Sequence, residues 1–216
     1  MRNKQGGKAA PRGGQVRHAG PAKQVRIIGG QWKRTPLPVL EVEGLRPTPD
    51  RVRETLFNWL NHLLDNAWEN AACLDLFAGT GALGFEAASR GAAEVVMVEG
   101  NTPAVRQLEA TKLKLQASQV SILRGDAGTT VQRLSTRFRV IFLDPPYHQD
   151  WLPRMLPLCD RLLADDGLLY VESEFSLAGD EPAPDWLAGW KVVRADKAGM
   201  VFYHVLQRNT SPQIKA

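Results

Sequence analysis

The stretch Leu74-Asp75-Leu76-Phe77-Ala78-Gly79-Thr80-Gly81-Ala82-Leu83-Gly84 restricts the possible folds of this chain more than any other. A short apolar run enters a glycine-rich turn and leaves it as Ala82-Leu83-Gly84-Phe85-Glu86-Ala87-Ala88, which has helical character. Gly79 and Gly81 let the backbone turn sharply and approach a ligand with no Cβ in the way. Strand, tight turn and helix in that order indicate an open α/β sheet, where ligands bind outside the carboxyl ends of the strands.

Gly79-x-Gly81-x-x-Gly84 also fits the dinucleotide fingerprint, and Glu99 follows at the end of Val95-Val96-Met97-Val98, where an acid would meet ribose hydroxyls. Asp75 and Phe77 argue against a pyrophosphate binder. Such a site needs helix amides aimed at phosphate in an uncrowded turn, whereas a carboxylate beside the glycines suits a cationic ligand end. S-adenosylmethionine has one, in its ammonium and sulfonium groups. A third strand, Val120-Ser121-Ile122-Leu123, runs into Arg124-Gly125-Asp126-Ala127, and Asp126 could accept from the adenine amine of the same cofactor.

A fourth apolar run, Val140-Ile141-Phe142-Leu143, ends in Asp144-Pro145-Pro146-Tyr147. This tetrapeptide suits a planar base with an exocyclic amine, whose lone pair is delocalised into the ring and needs acceptors to hold its N–H groups. Asp144 can accept one N–H and the Pro145 carbonyl another. Pro146 stiffens the turn, and Tyr147 offers a flat face for an unstacked base, a contact worth ~1–3 kcal/mol. Alone, the motif is equally a proline-rich loop after a core strand. Four strand-end features in one order make coincidence a poor explanation.

With these motifs the chain resembles the class I S-adenosylmethionine-dependent methyltransferases, and among them the bacterial 16S ribosomal RNA guanine-N2 methyltransferase (RsmD) family. The closer match rests on Arg26-Ile27-Ile28-Gly29-Gly30-Gln31-Trp32, on residues 45–60 (Leu45-Arg46-Pro47-Thr48-Pro49-Asp50-Arg51-Val52-Arg53 onward), on the glycine turn, on Asp144-Pro145-Pro146-Tyr147 and on Tyr170-Val171-Glu172-Ser173-Glu174. It spans roughly residues 24–208; Pro49 stands where the family more often has a threonine or serine. The resemblance implies methyl transfer to the N2 amine of one guanine in small-subunit rRNA, on an assembled particle rather than naked RNA. It implies that Asp75, Phe77 and Gly79-Thr80-Gly81 cradle the methionine part of the cofactor, Glu99 the ribose, and Asp126 with Ala127 the adenine. Asp144, Pro145, Pro146 and Tyr147 would hold the base. The implied fold is the class I (Rossmann-like) α/β architecture, a mostly parallel seven-stranded sheet with a C-terminal antiparallel hairpin, here with a small N-terminal β-hairpin extension.

A chain of 216 residues with 44% apolar composition can fill one α/β core. It has no apolar run approaching ~18 residues and no secretory h-region, so a cytoplasmic protein is expected; a monomer is expected as well. Cys73 and Cys159 read as packing residues, and no Cys/His cluster suggests a metal. Residues 1–40 hold nine Lys/Arg and no acid, against a net charge of +4 for the whole chain. Residues 1–23 are too polar to fold alone and are expected to be disordered, either as an arm along RNA phosphate or as a solvated tail.

Residues 24–44 read as a small hairpin, Val25–Ile28 turning at Gly29-Gly30 into Gln31-Trp32-Lys33, ended by Pro36 and Pro38. It would gather Arg26, Trp32, Lys33 and Arg34 for phosphate contact and base stacking, unless Trp32 packs inward. The methyltransferase domain is expected over residues 45–208 and a polar tail over 209–216. A helical stripe at Val52, Leu56, Trp59, Leu60, Leu63, Leu64 and Ala67 predicts a helix over 49–68 with Thr48 as N-cap. Arg46, Arg51 and Arg53 would then lie near the cleft, as RNA contacts or as ordinary surface charge. Glu172-Ser173-Glu174 either line the base pocket or cap the next loop. The alternatives are a DNA adenine or cytosine amino-methyltransferase, an NAD-dependent oxidoreductase, which leaves Asp144-Pro145-Pro146-Tyr147 unexplained, and a non-catalytic RNA-binding assembly factor.

Overall fold

A computed structural model describes residues 25–39, 48–179 and 184–209. The expectations for residues 1–23, Arg46 and residues 210–216 lie outside the described residues. A short antiparallel pair, β1 (Val25–Arg26) and β2 (Pro36–Leu37), precedes helix α1 (Asp50–Leu63). Then follow β3 (Ala72–Asp75), α2 (Ala82–Ser89), β4 (Glu94–Glu99), α3 (Thr102–Leu115), β5 (Val120–Arg124), α4 (Ala127–Arg133), β6 (Phe138–Leu143), α5 (Trp151–Leu162) and β7 (Leu163–Ser173). The chain closes with β8 (Trp190–Ala198) and β9 (Val201–Arg208).

The seven strands of the main sheet run in the order β5-β4-β3-β6-β7-β9-β8. The pairs from β5 to β7 are parallel, and β9 joins β7 and β8 antiparallel. The chain enters at the centre with β3, winds outward through β4 and β5, then returns to the other side of β3 with β6. That reversal opens a crevice at the carboxyl ends of β3 and β6.

Near-continuous apolar runs such as Val95–Val98 and Val140–Leu143 suit strands covered on both faces. Side chains alternate between the faces: Cys73, Met97, Phe142 and Tyr170 join a core under α1 and α2, while Leu74, Val98, Leu143 and Val171 join one under α4 and α5. Phe57 of α1 is fully buried between the rings of Trp68 and Phe142, and burial of such a side chain is worth about 2–3 kcal/mol. No helix among the described residues is long and apolar enough to cross a membrane.

Three details differ from expectation. The hairpin pairs Val25 with Leu37 and Arg26 with Pro36, so its loop is longer than a Gly29-Gly30 turn and Pro36 lies within a strand instead of ending it. Proline is tolerated there because the pair is short and has edges. Helix α1 ends at Leu63, and a 3-10 turn over Trp68–Asn70 follows. Thr48 does not cap α1; Pro49 holds the N-cap position without a side-chain bond. The Thr48 hydroxyl is drawn instead to two carboxyl groups across the sheet.

Buried polar contacts fasten the hairpin loop to the domain. The carboxylate of Glu86, fully buried on α2, accepts the amides of Ile28 at 2.6 Å and Gly29 at 2.8 Å and pairs with Arg90. The Ser89 hydroxyl donates to Gly29 O and accepts from Trp32 N, and the Ser89 carbonyl accepts from Gln31 N. Gly30, at φ +71°, sits so close to Ser89 O that a Cβ there would overlap it at 1.8 Å. Glu86→Ala leaves two amides and Arg90 without their acceptor, and we expect a loss of about 2–4 kcal/mol. Thermal melts should show the loss, and limited proteolysis should cut within residues 25–39 at protease levels that spare the wild type; an unchanged melting temperature and digest would contradict this docking role.

Candidate active site

The glycine turn between β3 and α2 is braced from below and from the side. Asp75, only 2% exposed, accepts the Gly84 amide at 3.0 Å, tying the end of β3 to the first turn of α2. Glu99, at the end of β4, accepts the Gly79 amide at 2.8 Å with one oxygen and the Asn101 amide at 2.7 Å with the other. Gly79 and Gly81 hold φ values of +51° and +76°, and a Cβ at Gly81 would meet the Phe85 ring at 2.6 Å. Thr80 is half-buried within the turn. Burial raises the Asp75 carboxyl to about 7; the Gly84 amide opposes this and the Glu99 charge adds to it.

At the next strand, Asp126 caps α4 by accepting the Thr129 amide at 2.9 Å, and Ala127 is buried at the start of that helix. Phe77 is half-buried and meets the Trp151 ring edge-on at 5.1 Å between centroids. The acids at the ends of β3 and β4 and the one beyond β5 therefore each hold a backbone turn at the crevice.

Across the switch point the arrangement is more polar. The register that pairs Phe142 with Tyr170 carries on past β6, so that Asp144 falls beside Glu172 on the face that holds Asp75. The Thr48 hydroxyl lies 2.9 Å from Glu172 Oε1 and 3.3 Å from Asp144 Oδ2, and the Tyr170 hydroxyl donates to Glu172 Oε1 at 2.7 Å. Glu172 is 3% exposed and Tyr170 fully buried. Burial is the main cause that lifts Asp144 well above the carboxylate range, followed by the charges of Glu172 and Asp75. Burial also raises Glu172, against the hydrogen bonds of Tyr170, Thr48 and Asp144.

Beyond Asp144, Pro145 is buried, Pro146 exposed and Tyr147 half-buried. They form one wall of a cleft of about 170 Å³, faced by Trp151, Glu172, Phe175 and Trp186. The following loop is pinned by Glu174, which accepts the His148 amide at 3.1 Å and pairs with His148 Nδ1 at 2.6 Å.

The residues expected to meet RNA divide. Lys33, Arg34 and Arg51 are exposed, and Arg26 is exposed while paired with Asp50 at 2.8 Å. Trp32 is half-buried and packs on the core under α1 and α2. Arg53 is fully buried and cannot lie at an RNA surface. Its donors go to Arg26 O, Asp50 and Thr48 O, because the helical stripe turns it toward the hairpin. Glu172 and Glu174 line the cleft, one of the two positions read for them, whereas Thr48 beside Asp144 and the Tyr170 hydroxyl on Glu172 were not expected.

A doubly wound sheet with a glycine turn after its first central strand and an Asp-Pro-Pro-Tyr turn after the strand across the switch point defines a class I methyltransferase. A family model described as conserved hypothetical protein 95 matches residues 25–207, and the chain belongs to that family, the RsmD family. It is 39% identical to ribosomal RNA small subunit methyltransferase D of Escherichia coli K12 over 92% of this chain and 97% of the relative. To the protein of that name from Haemophilus influenzae it is 38% identical over 85% of this chain and 94% of the relative. Among solved structures, a putative methyltransferase, yhhF, from Escherichia coli superposes with a TM-score of 0.72 at 41% identity, covering 86% of this chain and 98% of that one.

The Asp75 environment carries a sign that can be measured. Its folded-state value of about 7 lies above the ordinary carboxyl value, so the group favours folding at low pH. That contribution, at most about 4 kcal/mol, is complete below about pH 4 and is lost as pH rises through 7. We expect wild-type stability relative to Asp75→Asn to fall between these limits in denaturant titrations; pH curves of the two proteins that run parallel would contradict it.

Proposed function

We propose that the chain transfers a methyl group from S-adenosylmethionine to the exocyclic N2 amine of one guanine in 16S rRNA of the small ribosomal subunit. The observation that carries this reading is the set of acceptors at an aromatic-walled cleft: Pro145, Glu172 and Glu174 line it, and Asp144 adjoins Glu172 through the shared Thr48 hydroxyl. Guanine presents N1–H and N2–H₂ side by side, two adjacent donor groups. Adenine and cytosine present one amine next to a ring acceptor, which a carboxylate wall would repel. The relatives' name, ribosomal RNA small subunit methyltransferase D, supports small-subunit ribosomal RNA as the substrate.

The residues at the glycine turn suit the cofactor. Burial at the glycine turn holds Asp75 above the usual carboxyl range, and a ligand carrying ammonium and sulfonium charge there favours its ionised form. Gly79 to Gly81, with Phe77, would hold its methionine end, Glu99 its ribose, and Asp126 with Ala127 its adenine. When bound, it supplies an electrophilic methyl group. The chain supplies alignment, which contributes several kcal/mol of barrier lowering. Asp144 and the Pro145 carbonyl orient the amine by accepting its N–H groups. Tyr147 supports the ring and Pro146 fixes the turn. The base must enter the cleft unstacked from its neighbours.

In this reading Lys33, Arg34, Arg51 and Arg26 contact phosphate on an assembled small-subunit particle. The protein acts as a cytoplasmic monomer. Asp144→Ala should lower turnover on the order of 100-fold or more, as loss of a positioned proton acceptor does, while cofactor affinity stays within about threefold. The assay is incorporation of labelled methyl into undermethylated small-subunit particles, with calorimetry for cofactor binding. Unchanged turnover removes Asp144 from the mechanism.

A further inference from the structure

We infer that Glu172 is a further positioning residue of this reaction: it forms with Asp144 a carboxyl pair that shares one proton and one negative charge and that takes up the proton lost by the base amine. The inference rests on the reading above for its reaction, and on geometry of its own for the pair.

Parallel register sets the two groups side by side. Tyr170 lies opposite Phe142, and two residues further along each chain, on the same face, stand Glu172 and Asp144. Both reach the Thr48 hydroxyl, at 2.9 and 3.3 Å. With the Tyr170 hydroxyl also on Glu172 Oε1, that oxygen has two hydroxyl neighbours. Two carboxylates that share one hydroxyl, Glu172 buried and Asp144 half-buried, cannot both ionise at low cost, and a shared proton is the usual resolution. The directions agree: burial raises both groups, and the charges of Glu172 and Asp75 raise Asp144 further, as expected of two carboxyls that hold one proton between them.

Among the described residues, the other groups facing the pair keep it short of positive charge. Asp75 faces it from β3, with Glu99 behind, and Tyr170 from β7, with Tyr203 of β9 beyond it. Glu174 lies two residues further along the cleft wall. The cation on the α1 side, Arg53, reaches the backbone of Thr48 at 3.4 Å and is paired with Asp50. A pair with one charge can bind an amine N–H and still accept a proton. As the base nitrogen bonds to the methyl carbon, the electron pair of the broken bond leaves with the donor's sulfur, and nitrogen carries one proton too many. That proton passes to the pair, which becomes neutral and returns it to water after the base departs.

The test is a titration of Asp and Glu side-chain carboxyl carbons by ¹³C NMR on the wild-type protein, with Glu172→Gln as the variant. In the wild type, the Asp144 and Glu172 signals should move together in two steps. In Glu172→Gln, Asp144 should titrate in one step, at least one pH unit below its upper wild-type step. Independent single-step titrations in the wild type overturn the pair, and this arm needs neither a folded variant nor activity. In the particle assay, Glu172→Gln should lower kcat at least tenfold, leave KM for S-adenosylmethionine unchanged and alter the pH profile. An unchanged kcat and profile overturn the role in proton uptake. If the wild type methylates no small-subunit RNA, the functional reading and the proton-uptake role fall together, while the titration still decides the pair.

Discussion

Three carboxyl groups, those of Asp75, Asp144 and Glu172, are crowded together on one face of the sheet at the carboxyl ends of β3, β6 and β7, and the surrounding structure serves to make that tolerable. Two unit charges 4 Å apart repel by about 4 kcal/mol at an effective dielectric constant near 20, so the cluster is expensive if fully ionised. Its cost is reduced locally. The Gly84 amide takes up Asp75, Thr48 bridges Asp144 and Glu172, and Tyr170 donates to Glu172. What remains, among the described residues, is a site short of positive charge, which is the electrostatic condition for binding a cationic cofactor and a donor-rich base edge.

Thr48 connects this cluster to the N-terminal part of the chain. Its hydroxyl reaches the acids, while its carbonyl accepts from Arg53, and Arg53 in turn holds Arg26 O and Asp50. Glu86 and Ser89 fix the other side of the same hairpin to α2, whose first turn is bound by Asp75. The exposed Lys33 and Arg34 are therefore carried on a loop joined to the carboxyl end of the sheet by part-buried hydrogen bonds. A buried arginine does this better than a lysine because its planar fork serves several acceptors at once.

Much of the fold was legible in the sequence because apolar runs and turn residues signal it locally. The glycine turn, the strand before Asp144-Pro145-Pro146-Tyr147 and the short link that forces β8 and β9 antiparallel all rest on neighbours in sequence. Contacts that depend on register were not legible. Nothing near Glu172 shows that Tyr170 lies opposite Phe142, which is what sets that acid beside Asp144. Thr48 followed by Pro49 and Asp50 has the local pattern of an N-cap, yet tertiary acceptors took its hydroxyl. Arg53 shares a helical stripe with Val52 and Leu56, but its charge suggested the surface; Asp50 and the Arg26 carbonyl made burial possible. The acids at the ends of the first strands were visible as acids, while their work in holding backbone turns was not.

The central claim is that this site methylates the N2 amine of one small-subunit guanine. It is tested most directly by mass-spectrometric nucleoside mapping of 16S rRNA from cells with and without the gene, then treatment of the deficient particles with purified protein and labelled S-adenosylmethionine. The account predicts loss of a single N2-methylguanosine and its restoration in vitro at the same position. A map that is identical in the two strains would contradict it.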